Sequence, residues 1–568
     1  MNETTPKEWL RKTPALYIAM LAAWAGLCAW LWYNLGHGFV SLPFRAGVQP
    51  SAALRAAACV LVALNGVFIT YFWLNGVKDF LYVVWYRLAK GALARRLRTV
   101  TEADVSHVHD KVLLLYCTCN DFDGESLQRC MRQRYGNFET VILDDSSDPA
   151  FRAAVDGFAA ENGLRVVRRA DRSGFKAGNI NHFLLSDEVK KSDYKYAVIL
   201  DSDEVVPENF ITECLKYFVT YQNVGIVQAN HIATRNRNFF MKLFHIGVNS
   251  HWPAYQSMKQ RYGFCSMLGH GAMLRRDCYE AAGGFPPLVA EDLCLSIELR
   301  GAGFCVAFAP NIVCCEEYPV DYAAFKKRHS KWTQGNLEFI KKYTGRIFRA
   351  KMAWYEKLDI VLFTYNLPLT AVFAFYIFLN ITFMPALGID IGKLYPPWMI
   401  VPTVIFFFSP MLNDVFTWLF RINIFRFLFY LPCVVVLYGS MLYTSLVSAL
   451  LGMFGKKATF VVTPKESERM TPWRALRLQY KELLFAGFLL ALSLLFSRSA
   501  LPVILIAATG FLSFFLLAFA NYRYGPETAR RNDAQTARVS FRQNPICTTP
   551  FPFPPRRDGA PKKQRTGA

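Results

Sequence analysis

Tyr196-Ala-Val-Ile-Leu-Asp-Ser-Asp203 decides how this chain is read. Tyr196–Leu200 is an apolar run that fits a buried strand. Asp201 and Asp203 follow at alternate positions of an extended segment, so both carboxylates face the same way. A hard divalent cation takes such oxygens, and the cation can be held against a nucleotide diphosphate. An isolated Asp-x-Asp is more often a solvated turn. What lies on either side changes the reading. Val112–Cys117, Thr140–Leu143, Leu164–Val167 and Gly225–Gln228 are further short apolar runs separated by helical patterns. That alternation predicts an α/β domain on a mainly parallel sheet, from about Val105 to Tyr343. Acidic residues end these runs at Asp121, Asp144-Asp145 and Asp201-Ser-Asp203. Open α/β sheets bind ligands at the carboxyl ends of their strands, so the placement suits a nucleotide pocket.

Outside this domain the chain is apolar. Of 568 residues, 53% are hydrophobic and 48 are Phe, which fits an integral membrane protein better than a soluble one. The runs are Pro14–Leu35, Ala52–Val77, Leu358–Phe383, Pro397–Phe420, Leu428–Met453, Glu482–Phe496 and Leu501–Ala520. The net charge of +21 reads as Lys and Arg flanking membrane helices, and no basic recognition motif points to nucleic acid. The 14 Cys show no paired CxxC knuckles, so they are read as reduced thiols without structural zinc. Lys7, Arg11 and Lys12 precede the first run, and Lys78 to Arg98 follow the second. This places the N-terminus and the central domain on the cytoplasmic side. A basic, Pro-rich tail after Tyr522 is expected to be disordered and cytoplasmic. Keeping Lys456, Lys457 and Lys465 on that side requires one of the three preceding runs not to cross. Gly439–Met453, rich in Ser, Thr and Tyr, is expected to lie at the interface, leaving six crossings.

The chain thus divides into a membrane segment with two helices (1–104), the α/β domain (105–345), interfacial and membrane helices (346–454), a short loop (455–470), two more helices (471–520) and the tail (521–568).

The order of the motifs carries a resemblance. Thr118-Cys-Asn-Asp121, Asp144-Asp145, Gly174-Phe-Lys-Ala-Gly-Asn-Ile-Asn181, Asp201-Ser-Asp203, Ala290-Glu-Asp292 and Arg328-His-Ser-Lys-Trp332 follow the order seen in family 2 processive membrane glycosyltransferases. Phe460-Val-Val-Thr-Pro-Lys465 resembles the FxVTxK gating loop of bacterial cellulose synthase and related glucan synthases. The resemblance implies a GT-A-like cytoplasmic domain inserted between transmembrane helices, in a multi-pass protein of the cell inner membrane with both termini cytoplasmic. It implies an inverting enzyme that builds a cellulose-like β-glucan from UDP-glucose with Mg²⁺ or Mn²⁺ and passes it across the membrane, with periplasmic export partners possible. Under it, Thr118, Asp121, Asp144, Asp145, Lys176, Asp201 and Lys331 serve the UDP-sugar, one of the Asp144-Asp145 pair facing uridine. Asp203, with Asp201, holds the metal. Asp292 is the general base beside Glu291, Trp332 stacks on the acceptor sugar, and Phe460, Thr463 and Lys465 form the gating loop.

The departures concern the polymer more than the reaction. Ala290 replaces the Thr of TED, Arg328 and Lys331 replace two positions of QxxRW, Cys119 replaces a Tyr, and Glu204 replaces the His usual after the Asp-x-Asp. Lys331 is a point charge and lacks the bidentate fork of Arg. Other readings stay open. The polymer can be a β-1,3-glucan, or an amino-sugar polymer of the hyaluronan or chitin type. A membrane transporter with a soluble regulatory domain is disfavoured, because the apolar runs hold few ionisable residues apart from Asp414. Glu291 and Asp292 also suit the start of the helical pattern after them. Trp332 also suits an interfacial anchor, and His270 a satisfied core histidine.

Overall fold

A computed structural model describes residues 8–233, 238–455 and 469–522. The gating-loop residues Phe460, Thr463 and Lys465, and the tail after Tyr522, lie outside the described residues.

The central sheet has seven strands: β1 (Lys111–Thr118), β2 (Phe138–Asp144), β3 (Arg165–Val167), β4 (Tyr194–Asp201), β5 (Val224–Ala233), β6 (Ala272–Arg275) and β7 (Cys305–Glu316). Their order is β3-β2-β1-β4-β6-β5-β7. All neighbours are parallel except β6, which runs antiparallel to both β4 and β5. The sheet is therefore mixed, as in a GT-A-like fold. The expected apolar runs became β1 to β5. β6 is too short to show a period, and β7 is a 12-residue strand carrying Pro310, with a register shift opposite Ala229 and Asn230. Both faces of the sheet are covered. Val112, Leu114 and Tyr116 of β1 pack into one core, and Leu113, Leu115 and Cys117 into the other. This is why β1 reads as continuously apolar rather than alternating.

Register positions the site. Thr118 pairs with Asp144, and Cys117 with Asp201. The three acidic strand ends thus stop at one level of the sheet, where β1 has β2 on one side and β4 on the other.

Among the described residues, six helical segments are long and apolar enough to cross a membrane: Ala15–Val40, Ala52–Thr101, Leu369–Ala386, Pro397–Trp418, Ile424–Met453 and Pro472–Ser497. The number matches the expectation, but the membership differs. The final run is the 16-residue helix Ile504–Phe519, shorter than a straight span requires. The Leu358–Phe383 run is broken near Tyr365, and its first part belongs to the helix Trp354–Thr364, whose Asp359 is buried against Lys259 and the hydroxyls of Tyr17 and Tyr82. Both ends of the next helical stretch meet the central domain: Arg426 near its start donates to Lys242 O, and Lys341 donates to Gly452 O near its end at 2.7 Å. Met441–Met453 continues Ile424–Gly439 through a helical Ser440, giving a 30-residue apolar helix. Its hydroxyls bind the helix Tyr322–Arg349: Ser445 contacts His329 at 2.6 Å, and Ser448 contacts Ser330 at 2.7 Å.

Candidate active site

A cavity of about 1530 Å³ opens at the carboxyl edge of the sheet and continues between the apolar helices. At the sheet end its wall includes Thr118, Asp121, Asp145, Lys176, Asp201 and Asp203. Glu291, Asp292, Lys331 and Trp332 line the middle. Phe373, Phe407, Tyr430, Tyr438 and Thr509 line the far end. These sequence-predicted residues therefore share one space, with the exception of Asp144.

The loop after β1 is built around Asp121. Its carboxylate accepts from Thr118 Oγ1 (3.0 Å), Cys119 N (2.8 Å) and Ser202 Oγ (2.6 Å). Asp121 thus ties the first acidic loop to the Asp-x-Asp loop. The Asp144-Asp145 pair separates cleanly. Asp144 turns away from the cavity onto Arg168 Nε (2.7 Å) and Ser146 N (2.8 Å). Asp145 lines the cavity and takes a two-pronged contact from Arg169, at 3.0 and 2.7 Å. Of the two, Asp145 is the one placed to meet a base. Arg168 and Arg169 follow β3, and nothing in the sequence marked them.

The Gly174–Asn181 segment brings Lys176 into the site. Gly174 adopts a left-handed backbone, φ 71°, at the start of the helix Phe175–Leu184. A Cβ on Gly178 would lie 2.1 Å from Ser173 O, so only glycine fits there. Lys176 Nζ donates to Asp201 and, at 2.8 Å, to Gly269 O. Burial works against its charge, but the Asp201 carboxylate overrides burial and raises the ammonium's pKa. Ser202 is buried and turned inward, while Asp201 and Asp203 face the cavity. An ammonium already sits beside Asp201, so the donor set fits a hard divalent cation.

Behind Asp201 lies a charge stack with little sequence signature. Glu204 is fully buried and contacts His231 Nε2 at 3.1 Å and His270 Nδ1 at 3.2 Å. His270 Nε2 is 3.3 Å from Glu316 and 3.9 Å from Asp201. The two imidazoles stack with centroids 4.5 Å apart. Burial would raise Glu204, but the His270 charge and the histidine hydrogen bonds hold it down at about 2. Burial would lower His270, and Glu204 and Asp201 instead push it well above the ordinary imidazole range. The donor atoms of His231, His270 and Glu316 lie within 4.8 Å of one another, a spacing that a metal can bridge. The close contacts of the two imidazoles are with carboxylates, so we read the cluster as charge pairing behind the Asp-x-Asp loop. Gly271, φ 56°, is needed because a Cβ there would lie 2.2 Å from both Glu204 and His231. Two sequence hints pointed here: Glu204 in place of His, and His270 between two glycines.

Glu291 and Asp292 open the helix Glu291–Gly301. Neither is in an ion pair among the described residues. Burial raises the proton affinity of both, and the Asp292 charge raises Glu291 further. Asp292 Oδ1 accepts from Leu293 N at 2.7 Å, and its Oδ2 lies beside Gly269. On the helix Tyr322–Arg349, Lys331 and Trp332 face the cavity, and Trp332 is 45% exposed. Burial lowers Lys331, against the pull of Glu291, Asp201 and Asp292. The Arg328 guanidinium lies 4.6 Å from the Trp332 ring centroid, a cation–π contact that leaves the other indole face for a ligand.

Residues 120–335 match the family described as "Glycosyltransferase like family 2". Two curated relatives from Arabidopsis thaliana are similar to this chain. Probable glucomannan 4-beta-mannosyltransferase 1 is 24% identical over 275 residues, 47% of this chain and 46% of that protein. Probable glucomannan 4-beta-mannosyltransferase 15 is 25% identical over 232 residues, 39% of this chain and 43% of that protein. The chain spans under half the length of either relative. Among solved structures, the mannosyltransferase PcManGT from Pyrobaculum calidifontis with GDP-Man and Mn²⁺ is 16% identical with a TM-score of 0.41, covering 71% of this chain and 100% of that one. S. aureus TarS 1–349 with UDP-GlcNAc is 14% identical with a TM-score of 0.32, covering 54% and 91%. The match to the family 2 glycosyltransferases thus falls on the central domain, and the glucomannan mannosyltransferases are similar to this chain over under half its length.

Proposed function

We propose that this chain is a processive, inverting polysaccharide synthase that extends a β-linked hexose polymer from a nucleotide sugar and passes it between its membrane helices. The observation that carries this reading is the continuity of the cavity from the strand-end carboxylates, past Trp332, to Tyr438 and Thr509. A transferase with a diffusible product needs only the first half of such a space. Asp292 accepts the proton of the acceptor hydroxyl, whose oxygen attacks the anomeric carbon. The carbon–phosphate oxygen bond breaks on the opposite face, giving inversion and a free nucleoside diphosphate. Lys176 and Lys331 stabilise the charge that develops on this leaving group. A divalent cation, Mg²⁺ or Mn²⁺, held by Asp201 and Asp203 supplies further neutralisation at the diphosphate when bound. Asp145 and Thr118 hold the base, and the new terminal sugar stacks on Trp332. The catalytic domain and both termini are assigned to the cytoplasmic side of the inner membrane on the basic residues that flank the apolar helices.

The first donor reading is UDP-glucose, giving a β-glucan, with Phe460–Lys465 as the gating loop. The second is an activated mannose, giving a β-mannan, and the printed names of the plant relatives favour it. Purified protein in sealed vesicles should be offered radiolabelled UDP-glucose, GDP-mannose and UDP-N-acetylglucosamine in turn. Polymer from UDP-glucose supports the first reading. Polymer from GDP-mannose alone replaces it with the second. No transfer from any donor overturns the synthase.

A further inference from the structure

Helices Ala52–Thr101 and Ile400–Trp418 run side by side in the same direction. Trp73 Nε1 donates to Thr403 Oγ1 at 3.2 Å, and about four turns on Arg87 Nη2 donates to Thr417 Oγ1 at 2.8 Å. Trp418 then donates its indole N–H to Ile246 O of the catalytic domain at 3.0 Å. The chain turns at Arg421 and returns as the helix from Ile424. This end of the helix pair therefore lies where the catalytic domain meets the apolar helices.

Cations gather at that turn. Arg87, Lys90 and Arg421 are close enough for their charges to repel one another. Among the described residues no carboxylate offsets Arg87, whose side chain contacts the Thr417 hydroxyl and the Tyr86 and Phe416 rings. Its Nε is buried and has no hydrogen-bond acceptor among the described residues. Large apolar side chains surround this charge. Leu88, Phe416 and Phe425 are exposed, and Phe420 is 93% exposed. Such a patch is unfavourable in water twice over, through like-charge repulsion and through bare apolar area. Both costs disappear where a phosphate layer lies over acyl chains.

We infer that Arg87 and Arg421 bind the phosphate of an acidic phospholipid, with its acyl chains against Phe416, Phe420 and Phe425. Guanidinium groups pair with phosphate through parallel N–H donors, which a lysine ammonium lacks. A zwitterionic headgroup brings its own cation to an already cationic site, so charge complementarity selects the acidic lipid. The inference rests on the reading of the apolar helices as membrane spans. It is independent of the sugar chemistry.

The test uses the full chain in mixed micelles of phosphatidylglycerol and phosphatidylcholine, with lipid adducts read by native mass spectrometry. Wild type should retain phosphatidylglycerol over phosphatidylcholine by roughly ten-fold or more. Arg421→Gln, at an exposed turn position that leaves the core untouched, should bring the ratio close to parity. Arg87→Lys, which keeps the charge but loses the fork, should fall between. Excess inorganic phosphate should leave the preference unchanged. Equal retention of both lipids by wild type, or an undiminished preference in Arg421→Gln and Arg87→Lys alike, overturns the site. Displacement by inorganic phosphate assigns the cations to a free anion and overturns the lipid.

Discussion

Two adjacent acidic pairs, of which Asp145, Glu291 and Asp292 line the cavity, have opposite surroundings. Asp144 and Asp145 are each held by an arginine, and the Asp145–Arg169 pair is 7% and 5% exposed. Glu291 and Asp292 are partly buried and have no ion pair among the described residues, and their proton affinity is raised. The side-chain chemistry is the same. The neighbours make one pair a fixed floor and, in the proposed mechanism, leave the other as the proton acceptor. A carboxylate locked to guanidinium is a poor base, while one short of partners is a good one.

The sharpest way to break this contrast is to neutralise one member of each pair. Asp292→Asn removes the proton acceptor and should cut the transfer rate by ~10²–10⁴ while nucleotide binding survives. Near wild-type turnover would strip Asp292 of the role. The same substitution removes a half-buried carboxylate that has no ion pair among the described residues, so thermal unfolding of the solubilised protein should be unchanged or shifted upward. Asp145→Asn should do the reverse to stability. It leaves Arg169 buried without its partner, and breaking such a pair costs roughly 3–5 kcal/mol. A melting temperature lowered by Asp292→Asn and untouched by Asp145→Asn would invert the assignment of floor and base.

The sequence carried one side of this contrast better than the other. Each acidic pair was visible because it ends an apolar run or opens a helical pattern. Strands β1, β2, β4 and β5 were legible for the same reason, since most of their residues are buried, and the edge strand β3 by its short apolar run. The arginines were not legible. Arg168 and Arg169 stand 24 residues from the aspartates they hold and look like any basic pair at a surface. The stack of Glu204, His231, His270 and Glu316 draws on β5, β7 and two loops, so no local spacing reveals it. The helix Met441–Met453 reads two ways because hydroxyls that suit a membrane surface suit a helix–helix contact equally well.

A smaller effect is expected at Trp332, which touches the acceptor half of the cavity alone. Loss of an aromatic stacking face is worth about 1 kcal/mol. Trp332→Ala should shorten the product while leaving the donor KM within about two-fold, since that is under ~0.5 kcal/mol. An unchanged product length distribution, resolved on a gel, would reduce Trp332 to an interfacial anchor.

The smallest and most specific test lies at Ala290. This residue is the N-cap of the Glu291–Gly301 helix and offers no side-chain acceptor. The Leu293 N–H that a cap would satisfy is taken by Asp292 Oδ1 instead. In this chain the base caps its own helix. That hydrogen bond favours the carboxylate and opposes the burial that raises its pKa. Ala290→Thr restores an oxygen able to accept from the third helical N–H, and a cap of this kind stabilises by about 1 kcal/mol. With Leu293 N–H diverted, Asp292 loses one of the groups holding its pKa down. Transfer requires Asp292 deprotonated, so the rate rises as pH rises through its pKa. The acidic limb of kcat/KM in Ala290→Thr should therefore move to higher pH, together with a modest gain in melting temperature. A limb that stays put while the melting temperature rises would show that the introduced hydroxyl caps the helix without reaching the base. A limb that moves to lower pH would show that the Leu293 contact does not govern the ionisation of Asp292.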